Sequence, residues 1–170
     1  MDLPVIRYER ENDFEAIREV TKLAFTDMPF ADGNEHELTD NLRNAGALAV
    51  SLVAERSNRV IGHVAISIAI PEDQSRGWYA LGPASVHPAH QRRGVGSALI
   101  RKGLEELEKL GASGCILTGN PGFYARFGFQ VDPSLAPPEE PPEYFMVKVF
   151  SGQRTTRPVS FHRVFYDGAE

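Results

Sequence analysis

The amino-acid sequence predicts an α/β fold in one domain, and three observations support this. Strand-like apolar runs and amphipathic helical segments alternate in the order β-α-α-β-β-β-α-β-α-β-β along 170 residues. Hydrophobic residues make up 42% and charged residues 24%, the balance of an ordinary globular protein. A chain of this length buries enough surface to hold a core without metals or disulfides. We therefore expect a single domain over residues 1–170, with its core at about 4–150.

The N-terminal part predicts one strand followed by two helices. Residues 3–8 form a short apolar run that ends in charge, which is typical of a strand. Asn12 is the expected N-cap of a helix over 13–25, where apolar residues recur at helical spacing. A second helix is expected over 34–45, ended by Gly46.

Three strands are predicted next. Residues 47–55 and 60–70 are apolar runs, and residues 56–59 between them have the polar composition of a hairpin turn. A third strand over 78–86 is expected to bend or bulge at Pro83, because proline has no N–H to donate to a neighbouring strand.

The longest helix is predicted over 94–110, with Gly111 as its C-terminal stop. Its apolar side chains recur on one stripe, as in a helix that packs on a core. The stripe comprises Val95, Leu99, Leu107 and Leu110.

The C-terminal part predicts short elements around a proline-rich segment. Five of the 12 prolines lie in residues 132–143, which we expect to be a surface loop. The elements around it are a strand over 115–119, a helical turn over 121–127 ended by Gly128, and strands over 144–150 and 158–166.

The charge and cysteine content exclude several classes of protein. A net charge of −5 argues against a dedicated nucleic-acid-binding protein, which needs a basic surface to bind phosphates. The single cysteine, Cys115, excludes an internal disulfide scaffold, and its apolar surroundings favour a buried, unreactive thiol. We see no secretory leader and no apolar run of about 18 residues, so we expect a cytoplasmic protein that does not span a membrane.

The segment 85–97 predicts a site for an anion. A strand enters a loop, and the loop enters a helix through Gly94 and Gly96. The first turn of a helix has unpaired N–H groups and a partial positive charge, which together favour phosphate. The two glycines allow a diphosphate to approach the backbone, and Arg92 and Arg93 add positive charge.

Two familiar phosphate-binding motifs do not fit this segment. The dinucleotide fingerprint needs glycine at its sixth place, where this chain has Leu99. A P-loop needs a lysine between its glycine and its serine or threonine, and Gly96-Ser97 has none.

The six residues Gln91-Arg92-Arg93-Gly94-Val95-Gly96 resemble the acetyl-CoA motif Q/R-x-x-G-x-G/A of the GNAT N-acetyltransferases. A second block, residues 119–129, looks like the Tyr-x-x-x-Gly-Phe ending of that family's next strand and helix. The order of elements agrees from about residue 4 to 166. The runs 51–55 and 62–63 and the YARFGF ending are most like the YhbS-like branch.

The resemblance implies a GNAT fold, in which a mixed, mostly antiparallel sheet has helices on both faces. It implies acetyl transfer from acetyl-CoA to a primary amine by direct attack, with no covalent enzyme intermediate. It also implies that Tyr124 protonates the departing thiolate, since a phenol pKa near 10 exceeds that of a thiol. The residues implied to bind acetyl-CoA are Ser85, Val86, His87, Gln91, Arg92, Arg93, Gly94, Val95, Gly96, Ser97 and Asn120.

Several alternatives stay open. Tyr124 is alternatively a packing aromatic, and Asn120 alternatively a turn residue before a proline. The base that takes the amine proton is an ordered water relay or one of Glu35, Glu37, Glu55 and His63.

The alternative function is a non-catalytic sensor or regulatory module that binds CoA through the same fold. A phosphate-recognising protein with another ligand is a further possibility. The partners we expect are acetyl-CoA or CoA and a small-molecule or peptide amine. We expect no nucleic acid, no membrane and no metal, because the five histidines show no metal-ligand spacing. The chain is expected to be a monomer or homodimer.

Overall fold

The computed structural model describes residues 3–26, 28–29, 31, 33–150 and 155–167. The chain separates into two compact units. The first comprises Met1–Ile66 and Gly82–Glu106, and the second comprises Ser67–Leu81 and Leu107–Glu170.

The helices and strands follow the predicted order with two differences: the strand expected over 60–70 is divided after Ile68, and a short strand at Gln130–Val131 was not predicted. The strands are β1 (Val5–Tyr8), β2 (Leu48–Arg56), β3 (Arg59–Ile68), β4 (Ile70–Pro71), β5 (Trp78–Val86), β6 (Gly114–Thr118), β7 (Gln130–Val131), β8 (Phe145–Val149) and β9 (Val159–Ser160). The α-helices are α1 (Phe14–Phe25), α2 (Glu35–Asn44), α3 (Val95–Lys109) and α4 (Pro121–Tyr124). Short 3-10 turns lie at Glu11–Asp13, Pro88–His90, Ala125–Phe127, Pro133–Leu135, Pro142–Tyr144 and Arg163–Phe165.

The strands of the first unit pair in the order β1-β2-β3-β5. Strands β1 and β2 are antiparallel, with Tyr8 opposite Leu52. The β2–β3 hairpin turns at Ser57 and Asn58, whose φ angles are 51° and 62°. Two successive positive φ angles are the geometry of a two-residue hairpin turn, so the predicted hairpin is confirmed.

Helices α1 and α3 lie on opposite faces of the first unit's sheet. Ser85 of β5 contacts Thr21 of α1 through their hydroxyl groups. The next residue, Val86, has its Cγ2 atom 3.5 Å from the position that a Cβ on Gly96 of α3 would take. Because successive side chains of a strand point to opposite faces, the predicted arrangement of helices on both faces is confirmed here.

The second unit pairs its strands in the order β5-β6-β8-β7, with a separate β4–β9 ladder. Residues Trp78–Ala80 of β5 run parallel to β6, whereas β6 with β8, β7 with β8 and β4 with β9 are antiparallel. The predicted sheet, mixed and mostly antiparallel, is therefore confirmed. Strand β5 is continuous through Pro83, and its Gly82–Pro83 peptide is cis.

The long helix and its end agree with the prediction except at one residue. Val95, Leu99 and Leu107 are buried, and Gly111 takes a positive φ of 75° after the helix. Leu110 is 55% exposed, so its place on the buried stripe was wrong. The reason is that α3 ends at Lys109, and Leu110 no longer follows the helical spacing.

Three further expectations need correction. Asn12 is not a cap: it lies inside a 3-10 turn, and the Asp13 carboxylate accepts the Arg10 N–H at 2.7 Å instead. The proline-rich segment is not only surface, because Leu135 is 2% exposed within a core cluster. The last strand is short, because after β9 a 3-10 turn begins, capped by the His162 side chain.

Candidate functional site

The loop before α3 leads into a helix start, where the first N–H groups have no acceptor within the helix. The first hydrogen bond of the helix is donated by Ala98 to the Gly94 carbonyl, at 3.0 Å. The N–H groups of Val95, Gly96 and Ser97 precede that bond, so within the described residues they have no carbonyl of the helix to donate to. No Cβ obstructs them at Gly94 or Gly96, so an anion has access to the backbone.

The loop conformation is that of an anion-binding nest. Arg92 has φ 64° and Gly94 has φ 83°, with Arg93 between them. Alternation of left-handed and ordinary residues turns successive N–H groups toward one concave point. A non-glycine residue adopts this conformation at a cost of about 1 kcal/mol, so a strained Arg92 is a feature of functional loops. Both arginines of the loop are exposed.

At the end of β5, the N–H and C=O groups of successive residues point alternately toward β3 and away from it. The His87 N–H donates to the Ile61 carbonyl of β3 at 2.8 Å, and the Ala69 N–H donates to the Trp78 carbonyl at 3.0 Å. These bonds make β3 and β5 antiparallel, so alternate residues of β5 direct their N–H and C=O toward β3. The groups of Val86 therefore face away from β3.

The Val86 carbonyl already has a partner, because Gln91 donates its side-chain amide to it at 2.9 Å. The Val86 N–H lies on the same side of the strand as this carbonyl, away from β3. His87 is engaged twice: its N–H bonds to β3, and its Nδ1 accepts the Ala89 N–H at 3.0 Å.

Two residues near β5 were not identified from the sequence as part of the site. Thr21 contacts Ser85, and Gly62 lets β3 approach the same strand: a Cβ on Gly62 would lie 3.2 Å from the Ser85 carbonyl oxygen. A glycine inside an apolar strand is a signal of close approach. A threonine on the buried stripe of an amphipathic helix is a second, weaker signal.

In the second unit, Asn120 caps α4. Its Oδ1 accepts the Gly122 N–H at 2.9 Å, and its carbonyl accepts the N–H groups of Phe123 and Tyr124. The turn role that the sequence left open is therefore present. A role of Asn120 in binding a cofactor stays a prediction.

Tyr124 is set among aromatic rings. Its ring centroid lies 4.9 Å from that of Phe123 and 6.2 Å from those of Phe127 and Phe129. A Cβ on Gly119 would lie 2.6 Å from Tyr124 Cε2, so the glycine makes room for the ring. Burial raises the pKa of Tyr124, which keeps the phenol protonated at neutral pH. Within the part of the chain that the structure describes, burial and not a hydrogen bond accounts for this shift.

The four candidate bases differ in their surroundings. Glu55 is ion-paired with Arg7 at 2.6 Å. Glu35 accepts the Gly33 N–H at 3.1 Å, and Glu37 lies 4.0 Å from His36. Both glutamates lie in the first turn of α2. The base stays unassigned among these residues and a water relay.

His63 is wholly buried and belongs to a chain of polar side chains. The Arg43 guanidinium pairs with Glu9 at 2.7 Å, and Ser51 donates to the Glu9 carboxylate. Because the one hydroxyl proton of Ser51 is donated to Glu9, the Ser51 oxygen accepts a hydrogen bond from Nε2 of His63, 2.8 Å away. Burial lowers the pKa of His63 to about 4. The imidazole is therefore neutral and shielded from solvent at physiological pH.

The thiol of Cys115 is poorly suited to be a nucleophile. Cys115 is fully buried, as predicted, and burial raises the pKa of its thiol.

Within the described ranges there is no group of three or more His, Cys, Asp or Glu side chains suited to a metal. No helix in the described part of the chain has the length and apolar character to cross a membrane.

Comparison with known proteins begins with a model of the acetyltransferase (GNAT) family, which matches residues 14–129. The uncharacterized N-acetyltransferase YhbS of Escherichia coli K12 is 31% identical over 103 residues, which is 60% of this chain and 62% of YhbS. The uncharacterized N-acetyltransferase YjhQ of the same strain is 33% identical over 122 residues, 71% of this chain and 66% of YjhQ. The matches thus span slightly less than two thirds of these curated relatives.

Two solved structures match over nearly their whole length. A GNAT family acetyltransferase from Brucella melitensis, in complex with acetyl-CoA, is 41% identical with a TM-score of 0.85, over 95% of this chain and 97% of that one. Escherichia coli YhbS, in complex with CoA, is 26% identical with a TM-score of 0.87, over 98% and 93%. The predicted fold class and the resemblance to YhbS are confirmed, and the chain belongs to the acetyltransferase (GNAT) family.

Proposed function

We propose that this protein is an N-acetyltransferase that transfers an acetyl group from acetyl-CoA to a primary amine. The observation that carries the proposal is the loop 91–97, with its positive φ angles at Arg92 and Gly94 and a helix that makes its first hydrogen bond only at Ala98. This loop suits the diphosphate of CoA, and two related proteins were solved with acetyl-CoA or CoA bound.

The chain supplies the groups that hold the cofactor. The N–H groups of Val95, Gly96 and Ser97 and the charges of Arg92 and Arg93 suit a diphosphate. Ser85 and His87 support the strand end beside Val86. Bound acetyl-CoA brings an activated thioester, so the protein does not need a nucleophile of its own.

The reaction then needs a donor to the carbonyl oxygen, an acid for the departing sulfur and a base for the amine proton. As the amine nitrogen bonds to the acetyl carbon and the carbon–sulfur bond breaks, negative charge forms on the carbonyl oxygen, where the Val86 N–H is the proposed donor. The Tyr124 hydroxyl gives its proton to the departing sulfur. The proton lost by the amine goes to water or to one of the candidate bases.

A single domain over residues 1–170, a cytoplasmic location and a monomeric or homodimeric state remain predictions. The acceptor is proposed only as a small-molecule or peptide amine.

The test is a screen of primary amines with acetyl-CoA, in which release of the CoA thiol is measured. We expect thiol release that requires both the protein and an amine, with a matching acetylated product. Binding of acetyl-CoA with no amine-dependent release across polyamines, amino acids and lysine peptides would instead favour the non-catalytic CoA-binding module.

A further inference from the structure

The direction of the hydrogen bond between Thr21 and Ser85 follows from their neighbours. Thr21 Oγ1 lies 2.8 Å from the Ile17 carbonyl oxygen, which only accepts, so Thr21 donates its one proton there. The Ser85 hydroxyl lies 3.2 Å from Thr21 Oγ1 and must therefore be the donor in that contact. The serine side chain of β5 is thus directed at α1.

Both hydroxyls are excluded from water. Thr21 is 1% exposed and Ser85 is 4% exposed. A buried hydroxyl that loses its partner costs about 1–3 kcal/mol, so the serine keeps this orientation while the threonine is present. The side chain of Ser85 consequently has no part in contacting a ligand, and its influence passes through the backbone.

That backbone includes the donor on which the proposed reaction depends. The peptide unit between Ser85 and Val86 consists of the Ser85 carbonyl and the Val86 N–H. On the face toward α3, a Cβ on Gly62 would come within 3.2 Å of the Ser85 carbonyl oxygen. Thr21 therefore fixes the Ser85 side chain on the face toward α1, and a side chain at position 62 would crowd the Ser85 carbonyl on the face toward α3.

We propose that Thr21 is a positioning residue, which acts through Ser85 to hold the Val86 N–H where the acetyl carbonyl oxygen binds. The inference rests on the proposed function. It assigns Thr21 no contact with acetyl-CoA. It predicts that the Thr21 hydroxyl affects the transfer step and not the affinity for the cofactor.

The direct readout is the Val86 amide proton in nitrogen-15-labelled protein. CoA lacks the acetyl carbonyl, so a hydrogen bond to that carbonyl moves this proton further downfield with acetyl-CoA than with CoA. We expect this difference in the wild type. In Thr21→Val it falls to less than half, while calorimetric affinity for acetyl-CoA stays within about threefold.

Three further variants separate positioning from packing. Thr21→Ser keeps the hydroxyl and restores the shift difference. Ser85→Ala reduces the shift difference and leaves no buried group unpartnered, because Thr21 still donates to the Ile17 carbonyl. The test therefore holds even where Thr21→Val does not fold. The double variant Thr21→Val/Ser85→Ala matches Ser85→Ala alone, because the orphaned serine hydroxyl is gone.

Thr26→Val is the matched control. Thr26 also donates to the carbonyl four residues back on α1, that of Lys22, at 2.5 Å, but it lies on an exposed turn. We expect the wild-type shift difference in this variant. An unchanged difference in Thr21→Val, or no recovery in Thr21→Ser, would overturn the positioning role.

Turnover gives the second readout once an acceptor is found. Displacement of a transition-state donor by a fraction of an ångström predicts a kcat about tenfold lower in Thr21→Val, with little change in KM for acetyl-CoA. A wild type without the acetyl-dependent shift would overturn this inference. The proposed function is judged separately, by binding and thiol release in the same samples.

Discussion

The loop 91–97 and the segment 119–129 are built in different ways. In the loop the polar groups are backbone amides, set by positive φ angles at Arg92 and Gly94 and by the Gln91–Val86 hydrogen bond. In the segment the polar group is one side chain, Tyr124, held by the rings of its neighbours. The loop therefore depends on its backbone conformation and on the Gln91 side chain that supports it, whereas the acid step proposed for the segment depends on a single hydroxyl.

The largest expected effect is on the loop. Gly94→Glu places bulk and negative charge among the N–H groups proposed for the diphosphate, so binding of acetyl-CoA should be lost in a calorimetric titration. Gly46→Glu is the matched control, because Gly46 also has a positive φ, 69°, with open space around its Cα. The control shares the backbone strain and the added charge. Equal loss of binding in both variants would mean that strain, not the site, was responsible.

The next effect is on the segment. Tyr124→Phe should leave acetyl-CoA affinity unchanged and lower kcat by about 10²–10⁴-fold, the range of a general acid. Tyr144→Phe, at a tyrosine that is 49% exposed in the same unit, should leave kcat unchanged. Unaltered turnover in the Tyr124 variant would remove its hydroxyl from the mechanism and leave the ring as packing.

A smaller effect concerns the buried polar groups of the first unit. The pKa of His63 is about 4 in the folded chain and about 6.5 when exposed, so the unfolded state binds more protons between these values. The contribution of the neutral His63 to the free energy of unfolding is therefore fully present above pH 6.5, and it is lost as the pH falls toward 4. Urea unfolding should show a free energy about 2 kcal/mol lower at pH 5 than at pH 7 from this residue.

His63→Gln should flatten that pH dependence, because the amide does not titrate. Cys115→Ala is the control from the second unit, since the thiol stays uncharged in this range. An equal acid sensitivity in the His63 variant would assign it to other groups.

Local signals were enough to predict much of the fold and the loop. The Ser57-Asn58 turn, the stop at Gly111 and the helix start after Gly94 each follow from a residue and its immediate neighbours. The phosphate loop was recognisable because its chemistry is carried by the backbone. A short pattern of glycines is enough to indicate it.

The parts that were missed depend on distant contacts. Thr21 and Ser85 are separated by 64 positions, and neither residue alone indicates the other. Leu135 was predicted to lie in a surface loop because the segment 132–143 is rich in proline. Its side chain is instead buried in a core cluster of the second unit. The last strand was predicted too long, because apolar character at Phe161 and Val164 reflects packing and not strand pairing.

The most direct test of the central claim is a calorimetric titration of acetyl-CoA into the wild-type protein, repeated in the presence of CoA, ATP or NAD. We predict binding in the micromolar range that CoA abolishes and that ATP and NAD leave unchanged. No binding, or displacement by ATP as effective as by CoA, would contradict the assignment of the loop to acetyl-CoA.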